Sequence, residues 1–292
     1  MKLIFFISYI IPLRVFYLIS DVAFWFFGYR KKIVLKNLRN SFPEASENEI
    51  IQISKQFYRR FFDFTMETIK AISISGKQLS ERIHINRDDP FFQELGNTSI
   101  ILLGSHIFSW ELQGMAISRC MNGPGFFSYQ RLKNPFFDKL ILKTRTRFGV
   151  QGIEREKMFR TIVKNKDKKA LFYILPDQSP FGRGKRYVTK FLNQDTAFYY
   201  GVGQIMEATK LPVWAVHCER QKRGHYNVVF TKIQDGGTSE SAQAMLEKYI
   251  GYLENVIKDQ PYSWLWTHNR WKTKWTENDI ISNKLKNNER EN

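Results

Sequence analysis

The sequence predicts an α/β domain with a mixed, mainly parallel central sheet flanked by helices, preceded by an N-terminal apolar, membrane-associated helix. Three observations predict it. Short apolar runs closed by turn residues, TSIILLG at 98–104 and ALFYIL at 170–175, have the length and composition of strands buried on both faces. Between such runs lie longer stretches with apolar residues three or four positions apart, and this alternation of strand and helix argues a sheet layered between helices. The first 29 residues, finally, are strongly apolar and aromatic.

Residues 3–27 are interrupted by Pro12, Arg14 and Asp21. A spanning helix needs about 20 predominantly apolar residues, and the uninterrupted runs here are shorter, so a helix lying in or dipping into one leaflet is expected. Arg30, Lys31, Lys32, Lys36 and Arg39 follow at once and favour a cytoplasmic placement by the positive-inside bias.

Residues 30–75 read as two helices: a basic one through Asn37 and, after Ser41, Phe42 and Pro43, a long amphipathic one from Ser46. Glu49 stands where a capping box needs it, and Ile50, Ile53, Phe57, Phe61 and Phe64 supply the apolar stripe. The strand at 98–104 leads directly to His106. A helix is expected over 110–119, a strand over 125–130, and a helix over 134–148 with a basic face of Lys139, Lys143, Arg145 and Arg147. The strand at 170–175, a helix over 197–210, strands over 213–218 and 226–231, and a helix from 239 to about 258 complete the reading.

Lys plus Arg is 45 against 28 Asp plus Glu, a net charge of +17 that calls for a partner rich in phosphate or carboxylate. Nucleic acid and an anionic membrane surface both qualify. The 25 Phe, 13 Tyr and 7 Trp and the apolar N-terminus favour the membrane, and with no recognisable nucleic-acid module, nucleic acid is set aside. Cys120 and Cys218 form no CxxC and join no His/Cys cluster, so neither a metal site nor a disulfide framework is expected, and a reducing compartment is the default.

The chemistry centres on Gly104-Ser105-His106-Ile107-Phe108-Ser109-Trp110-Glu111. Five residues on one helix turn through about 500°, so His106 and Glu111 meet only if His106 lies in a loop and Glu111 in the first helical turn. In that arrangement Glu111 would accept from one imidazole nitrogen and leave the other as general base for a hydroxyl attacking a thioester. Of the five histidines, His106 is the one that leaves an apolar strand directly into a loop.

GSHIFSWELQG resembles the HxGNWE-type block of the bacterial lipid A late acyltransferases, the lauroyl/myristoyl transferase family. YQRLKNP at 129–135 resembles the second block of that family, LPDQSP at 175–180 the third, and PYSWLW at 261–266 with NRWKTK at 269–274 its C-terminal PxxYxWxHxRxK signature. The blocks occur in family order and cover roughly residues 1–275. Two positions depart: Ser109 replaces the usual asparagine before Trp110, and Phe191-Leu192-Asn193 stands where the family commonly has Phe-Phe-Gly, a difference that bears on acyl-chain preference.

With the resemblance, the chain is expected to comprise a membrane anchor or interfacial helix at 1–29, an acyltransferase domain at 30–277 and, from its composition, a polar tail at 278–292. The resemblance implies acyl transfer from acyl carrier protein, with acyl-CoA the alternative donor, to a hydroxyl of a phosphorylated glycolipid acceptor, a lipid A precursor. The reaction would run at the cytoplasmic face of the bacterial inner membrane, without metal or redox cofactor. His106 and Glu111 are the catalytic candidates. Arg131 and Lys133 are expected to hold phosphate, Asp177 and Gln178 to fix the third loop or Arg131, and Arg183, in the basic run FGRGKR, to admit phosphate groups. Arg270 and Lys272 alternate with tryptophans in a pattern suited to a headgroup-level interface. The alternatives are acylation of another lipid acceptor, whether lysophospholipid, aminolipid or glycolipid, and a non-catalytic membrane-bound scaffold.

Overall fold

The computed structural model describes residues 2–26, 28–180 and 185–274; Arg183 and the expected polar tail lie outside them. In chain order the elements are α1 (Lys2–Ile10), α2 (Leu13–Phe26), α3 (Lys31–Ser41), α4 (Glu47–Ala71), α5 (Gly76–Arg82), β1 (Ile83–His84), α6 (Pro90–Asn97), β2 (Ile100–Leu103) and α7 (Trp110–Cys120). They continue with β3 (Gly125–Tyr129), α8 (Pro135–Arg145), β4 (Gln151–Glu154), α9 (Met158–Asn165), β5 (Leu171–Ile174), β6 (Arg186–Phe191), β7 (Gln194–Tyr199), α10 (Tyr200–Thr209), β8 (Val213–Lys222), β9 (His225–Gln234) and α11 (Ala242–Asp259).

The main sheet has the order β1-β9-β8-β2-β5-β3-β4, parallel throughout except at the β8–β9 hairpin. Alternate residues of β2 face opposite ways. Ile101 and Leu103 join the cluster built with α4, α11 and the segment after α11, while Ile100 and Leu102 join a second cluster with α5, α6 and α7. The sheet is therefore covered on both faces, as a parallel sheet requires. Because β2 and β5 are parallel neighbours, the loops that follow them emerge side by side at one edge. That edge carries the site.

Most expected elements are present. Helix α4 starts at the capping box: Glu49 N–H donates to Ser46 Oγ at 3.3 Å and Ser46 N–H to the Glu49 carboxylate at 2.7 Å. The helix expected over 134–148 stops at Arg145, with a 3-10 turn over Thr146–Phe148 closed by Gly149 at φ 94°. The helix expected over 197–210 begins only at Tyr200, because residues 194–199 pair as β7 with β6. At the turn between them Leu192 and Asn193 have φ 49° and 61°, the left-handed pair of a tight hairpin. The departure from Phe-Phe-Gly thus sits in a turn against α3, where the Asn193 amide donates to Ser41 O at 3.0 Å.

The expected single N-terminal helix is two, α1 and α2, bent by 99° at a break before Leu13, where Pro12 cannot donate into a continuing helix. No single helix among the described residues is long and apolar enough to cross a membrane. Both pack on α4 through polar contacts. Ser20 Oγ–H donates to Asp63 at 2.8 Å, Tyr17 O–H to Glu67 at 2.7 Å, and Lys70 Nζ to the carbonyls of Ser8 and Ile11 at 2.6 and 3.0 Å, which caps the open end of α1. The opposite face exposes Leu3, Phe6, Leu18, Val22 and Trp25, the last at 79%. Polar groups thus share the inward face with buried Leu13 and Phe16, while the outward face is largely apolar, and so large an exposed apolar patch marks an interaction surface.

Candidate active site

His106 leaves β2 into a loop fixed from three sides. The Tyr249 O–H donates to Gly104 O at 2.7 Å, and Gly104 itself can carry no side chain, since a Cβ there would overlap the Tyr173 ring. On a second side the segment after α11 lies antiparallel to the loop. Phe108 N–H donates to Ser263 O at 2.9 Å and Leu265 N–H to His106 O at 3.1 Å. On the third side stands Asp177, in the loop after β5. Its Oδ1 lies 2.6 Å from His106 Nδ1, and its Oδ2 accepts both the His106 backbone N–H and the Trp264 indole N–H at 2.9 Å.

Asp177 is fully buried, which opposes its ionisation, but the charge of His106 and the hydrogen bonds from His106 and Trp264 outweigh burial and bring its pKa down to about 2. An ionised carboxylate only accepts, so Nδ1 carries a proton, and in the neutral ring this leaves the lone pair on Nε2. Trp110 stands edge-on to the imidazole with ring centres 4.9 Å apart and is itself backed by Phe64 at 4.1 Å. The imidazole is thereby fixed in tautomer and orientation.

No hydrogen bond joins Glu111 to the imidazole. Glu111 lies in the first turn of α7, as expected, but α8 packs there and Arg145 takes its carboxylate with a fork of two bonds, one of them 2.8 Å, while the Trp110 indole N–H adds a third at 3.1 Å. Burial disfavours the charged form, yet Arg145 and Trp110 hold the pKa of Glu111 below the usual carboxylate range. The acid on His106 is Asp177, which the sequence placed in the third loop without linking it to the histidine.

His106, Glu111 and Arg145 line the mouth of a cavity of about 320 Å³. It runs between α7 and the β3–β5 face toward Ser118, Gly125, Val150 and Leu171. From Glu111 to Ser118 the helix rises by roughly 10 Å, so the cavity follows α7 for about that distance as a channel, and its lining is mainly apolar. It can receive a hydrocarbon chain with the carbonyl end beside His106.

The family described as bacterial lipid A biosynthesis acyltransferase matches residues 2–273. The chain belongs to this family. It is an acyltransferase of the lipid A biosynthesis type. Among curated relatives, the lipid A biosynthesis palmitoleoyltransferase of Escherichia coli K12 is 23% identical over 264 residues, covering 88% of this chain and 83% of the relative. The lipid A biosynthesis acyltransferase of Shigella flexneri matches to the same extent, and the lipid A biosynthesis lauroyltransferase of E. coli K12 is 23% identical over 261 residues.

Within this acyltransferase the remaining candidates fall apart into groups. Gln178 lines the cavity mouth. Arg131 does not; it lies at the surface with its guanidinium on Glu154, and Lys133 is exposed beside it, so the cations on the cavity wall are Arg145 and Arg155 instead. Arg270, expected at a headgroup interface, is buried: it donates to Ala197 O and stacks on Phe198 at 4.8 Å, with burial pushing its pKa down to about 10. Lys272 is exposed. His268 accepts the Ser179 N–H at 3.2 Å, and burial and the Arg270 charge bring its pKa down to about 4, so this part of the C-terminal signature braces the Asp177 loop. Of the basic face expected over 134–148, Lys139, Lys143 and Arg147 are exposed. Arg145 turns in to Glu111, and Arg147 caps the end of α4 through the carbonyls of Ala71, Ile72 and Ile74. None of residues 191–193 lines the cavity, which separates that departure from the channel.

Proposed function

We propose that this acyltransferase moves a fatty acyl group from an acyl carrier protein thioester to a hydroxyl of a lipid A precursor, with His106 as general base oriented by Asp177. The observation that carries the reading is the ionised Asp177 on His106 Nδ1 at the mouth of an apolar channel. The acyl chain occupies the channel, and Nε2 takes the proton of the acceptor hydroxyl as its oxygen adds to the thioester carbonyl. The C–S bond then breaks, and the imidazolium returns the proton to the departing thiolate, giving ester and free thiol. Arg145, held by Glu111, faces the negative charge that builds on the carbonyl oxygen. Glu111 therefore acts through Arg145, not through the imidazole.

Lys133, Lys139 and Lys143, exposed near the cavity rim, form the surface offered to an acidic carrier. Leu132 on the rim and the exposed Phe136 and Phe137 that follow it, with the outward faces of α1 and α2, support acceptor entry from the cytoplasmic leaflet of the inner membrane. The test is transfer of labelled acyl chains from acyl carrier protein to a phosphorylated tetra-acyl disaccharide lipid, read by mass spectrometry. One added chain with wild type, lost in His106→Ala and Asp177→Ala, is the expected result. Retention of product by folded His106→Ala overturns the mechanism, and acylation of a lysophospholipid instead of the disaccharide overturns the acceptor.

A further inference from the structure

A second cavity, of about 690 Å³, opens between α2, α4 and the end of β8, and shares no lining residue with the channel at His106. Its walls carry five cations, Lys55, Arg59, Arg60, Arg220 and Arg223, against two carboxylates, Asp21 and Asp63. Both carboxylates are already engaged. Buried Asp63 takes Arg220 at 2.9 Å and Arg223 at 2.6 Å, and Asp21 takes Arg223 at 2.8 Å. Among the described residues no carboxylate pairs with Lys55, Arg59 or Arg60. Arg60 is half-buried, stacked on Tyr262 at 4.0 Å and bonded to Ser263 Oγ at 2.8 Å. With five cations against two carboxylates, the cavity holds more positive charge than its walls neutralise, and burial and the neighbouring Arg220 push the Arg60 pKa down.

The rim nearest α2 has the opposite character. Trp25 lines the cavity and is largely exposed, and Val22 and Leu18 continue the same apolar face outward. An occupant that satisfies both parts has an anionic head and a hydrocarbon body. Three unpaired cations around one cavity match the oxygens of a phosphate, and an indole at the rim is the side chain enriched at headgroup depth.

We propose that this cavity is a lipid-binding site of its own, taking the headgroup phosphate of an anionic phospholipid of the leaflet, with the lipid chains along the exposed face of α2. The proposal rests on the membrane placement made above and adds to it a specific headgroup contact. Such a lipid would fix α2, and with it the orientation of the domain, on the bilayer.

The experiment is flotation of the full-length protein with vesicles of phosphatidylcholine, with and without phosphatidylglycerol. Wild type is compared with the double variant Lys55→Gln/Arg59→Gln and with Lys166→Gln/Lys168→Gln, which removes equal charge from the exposed loop between α9 and β5. Lys55 and Arg59 are exposed, so their loss leaves no buried partner. Cations at the surface of an anionic membrane each add to binding, so the Lys55/Arg59 variant is expected to lose about tenfold or more in affinity for phosphatidylglycerol vesicles, the control less than about twofold. Binding to phosphatidylcholine alone stays equal in all three. Equal losses in the two doubles overturn the site in favour of diffuse surface charge. Abolition of the wild-type advantage by inorganic phosphate at constant ionic strength overturns the lipid as its source. Unchanged flotation with a raised KM for the phosphorylated acceptor in detergent reassigns the cavity to that acceptor and also overturns the proposal. Wild type that floats but transfers no acyl chain leaves the site standing and removes only the catalytic reading.

Discussion

Asp177 grips His106 twice, its Oδ1 2.6 Å from the ring nitrogen Nδ1 and its Oδ2 accepting the backbone N–H of the same residue at 2.9 Å. The carboxylate therefore fixes both where the histidine backbone runs and which way its ring faces. One further donor, the Trp264 indole, constrains the acid itself, as does the fold that carries β5 beside β2. Orientation of the imidazole is set by strand adjacency, not by the helix that follows it.

Asp177→Asn keeps the volume but removes the acceptor that holds the proton on Nδ1. The expected outcome is a fall in kcat of about 10²–10⁴ with KM little changed, close to the effect of His106→Ala, and a double variant no worse than either single one. Steady-state kinetics with the carrier-bound donor measure it. Near-normal kcat in Asp177→Asn would show that another group orients the imidazole.

The Glu111–Arg145 pair is a matter of stability as well as chemistry. Removing one partner leaves the other charge largely buried and uncompensated, so Arg145→Ala should lose about 3 kcal/mol in denaturant unfolding. Replacing both, as Glu111→Leu/Arg145→Met, should recover most of that loss without restoring transfer. A double variant as active as wild type would remove Arg145 from the reaction.

Acid should unfold the protein in two stages. His268, whose pKa is brought down to about 4 from an ordinary 6.5, binds fewer protons folded than unfolded in that interval, so its contribution to stability is present above 6.5 and is lost as pH falls through about 4. Asp177, brought down from 3.8 to about 2, contributes about 2 kcal/mol that is intact above 3.8 and is lost as pH falls through about 2. Unfolding free energies measured against pH should lose the lower stage in Asp177→Asn and the upper stage in His268→Gln.

Ser118 lines the channel about two turns along α7 from Glu111. Ser118→Leu fills that part with side-chain carbon, so the transferred chain should shorten, each excluded methylene costing about 0.8 kcal/mol or about fourfold in selectivity. Competition between donors of graded chain length reads the shift. An unchanged chain preference would put the hydrocarbon elsewhere.

The strand–loop–helix around His106 was legible because each part is local: an apolar run, a glycine, and an amphipathic helix. The capping box at Ser46 and Glu49 was legible for the same reason. The partnership of His106 with Asp177 was not, because it depends on β2 and β5 being neighbours. One signal was available: both residues follow buried strands of a mainly parallel sheet, and the loops at the carboxyl ends of such strands converge. Arg145 was hidden for another reason. It sits in a run of cations on α8, and only the packing of α8 on α7 separates the one turned inward from its solvated neighbours. At residues 197–199 local helical preference lost to pairing with β6, a contact between strands joined by a turn without glycine, where the sequence carries no hairpin signal.

The strap formed by residues 263–270 lies against the His106 loop, donates the Trp264 indole to Asp177, and is itself tied to α3 by Asn37, which bonds the carbonyls of Trp266 and His268. During synthesis β2, β5 and the helices between them leave the ribosome well before that strap. Until it emerges, the His106 loop lacks its antiparallel partner and Asp177 lacks its indole donor. Chain order thus delays completion of the site: every strand through β9 precedes the strap, and the His106 loop gains its antiparallel partner only once residues 263–270 have docked.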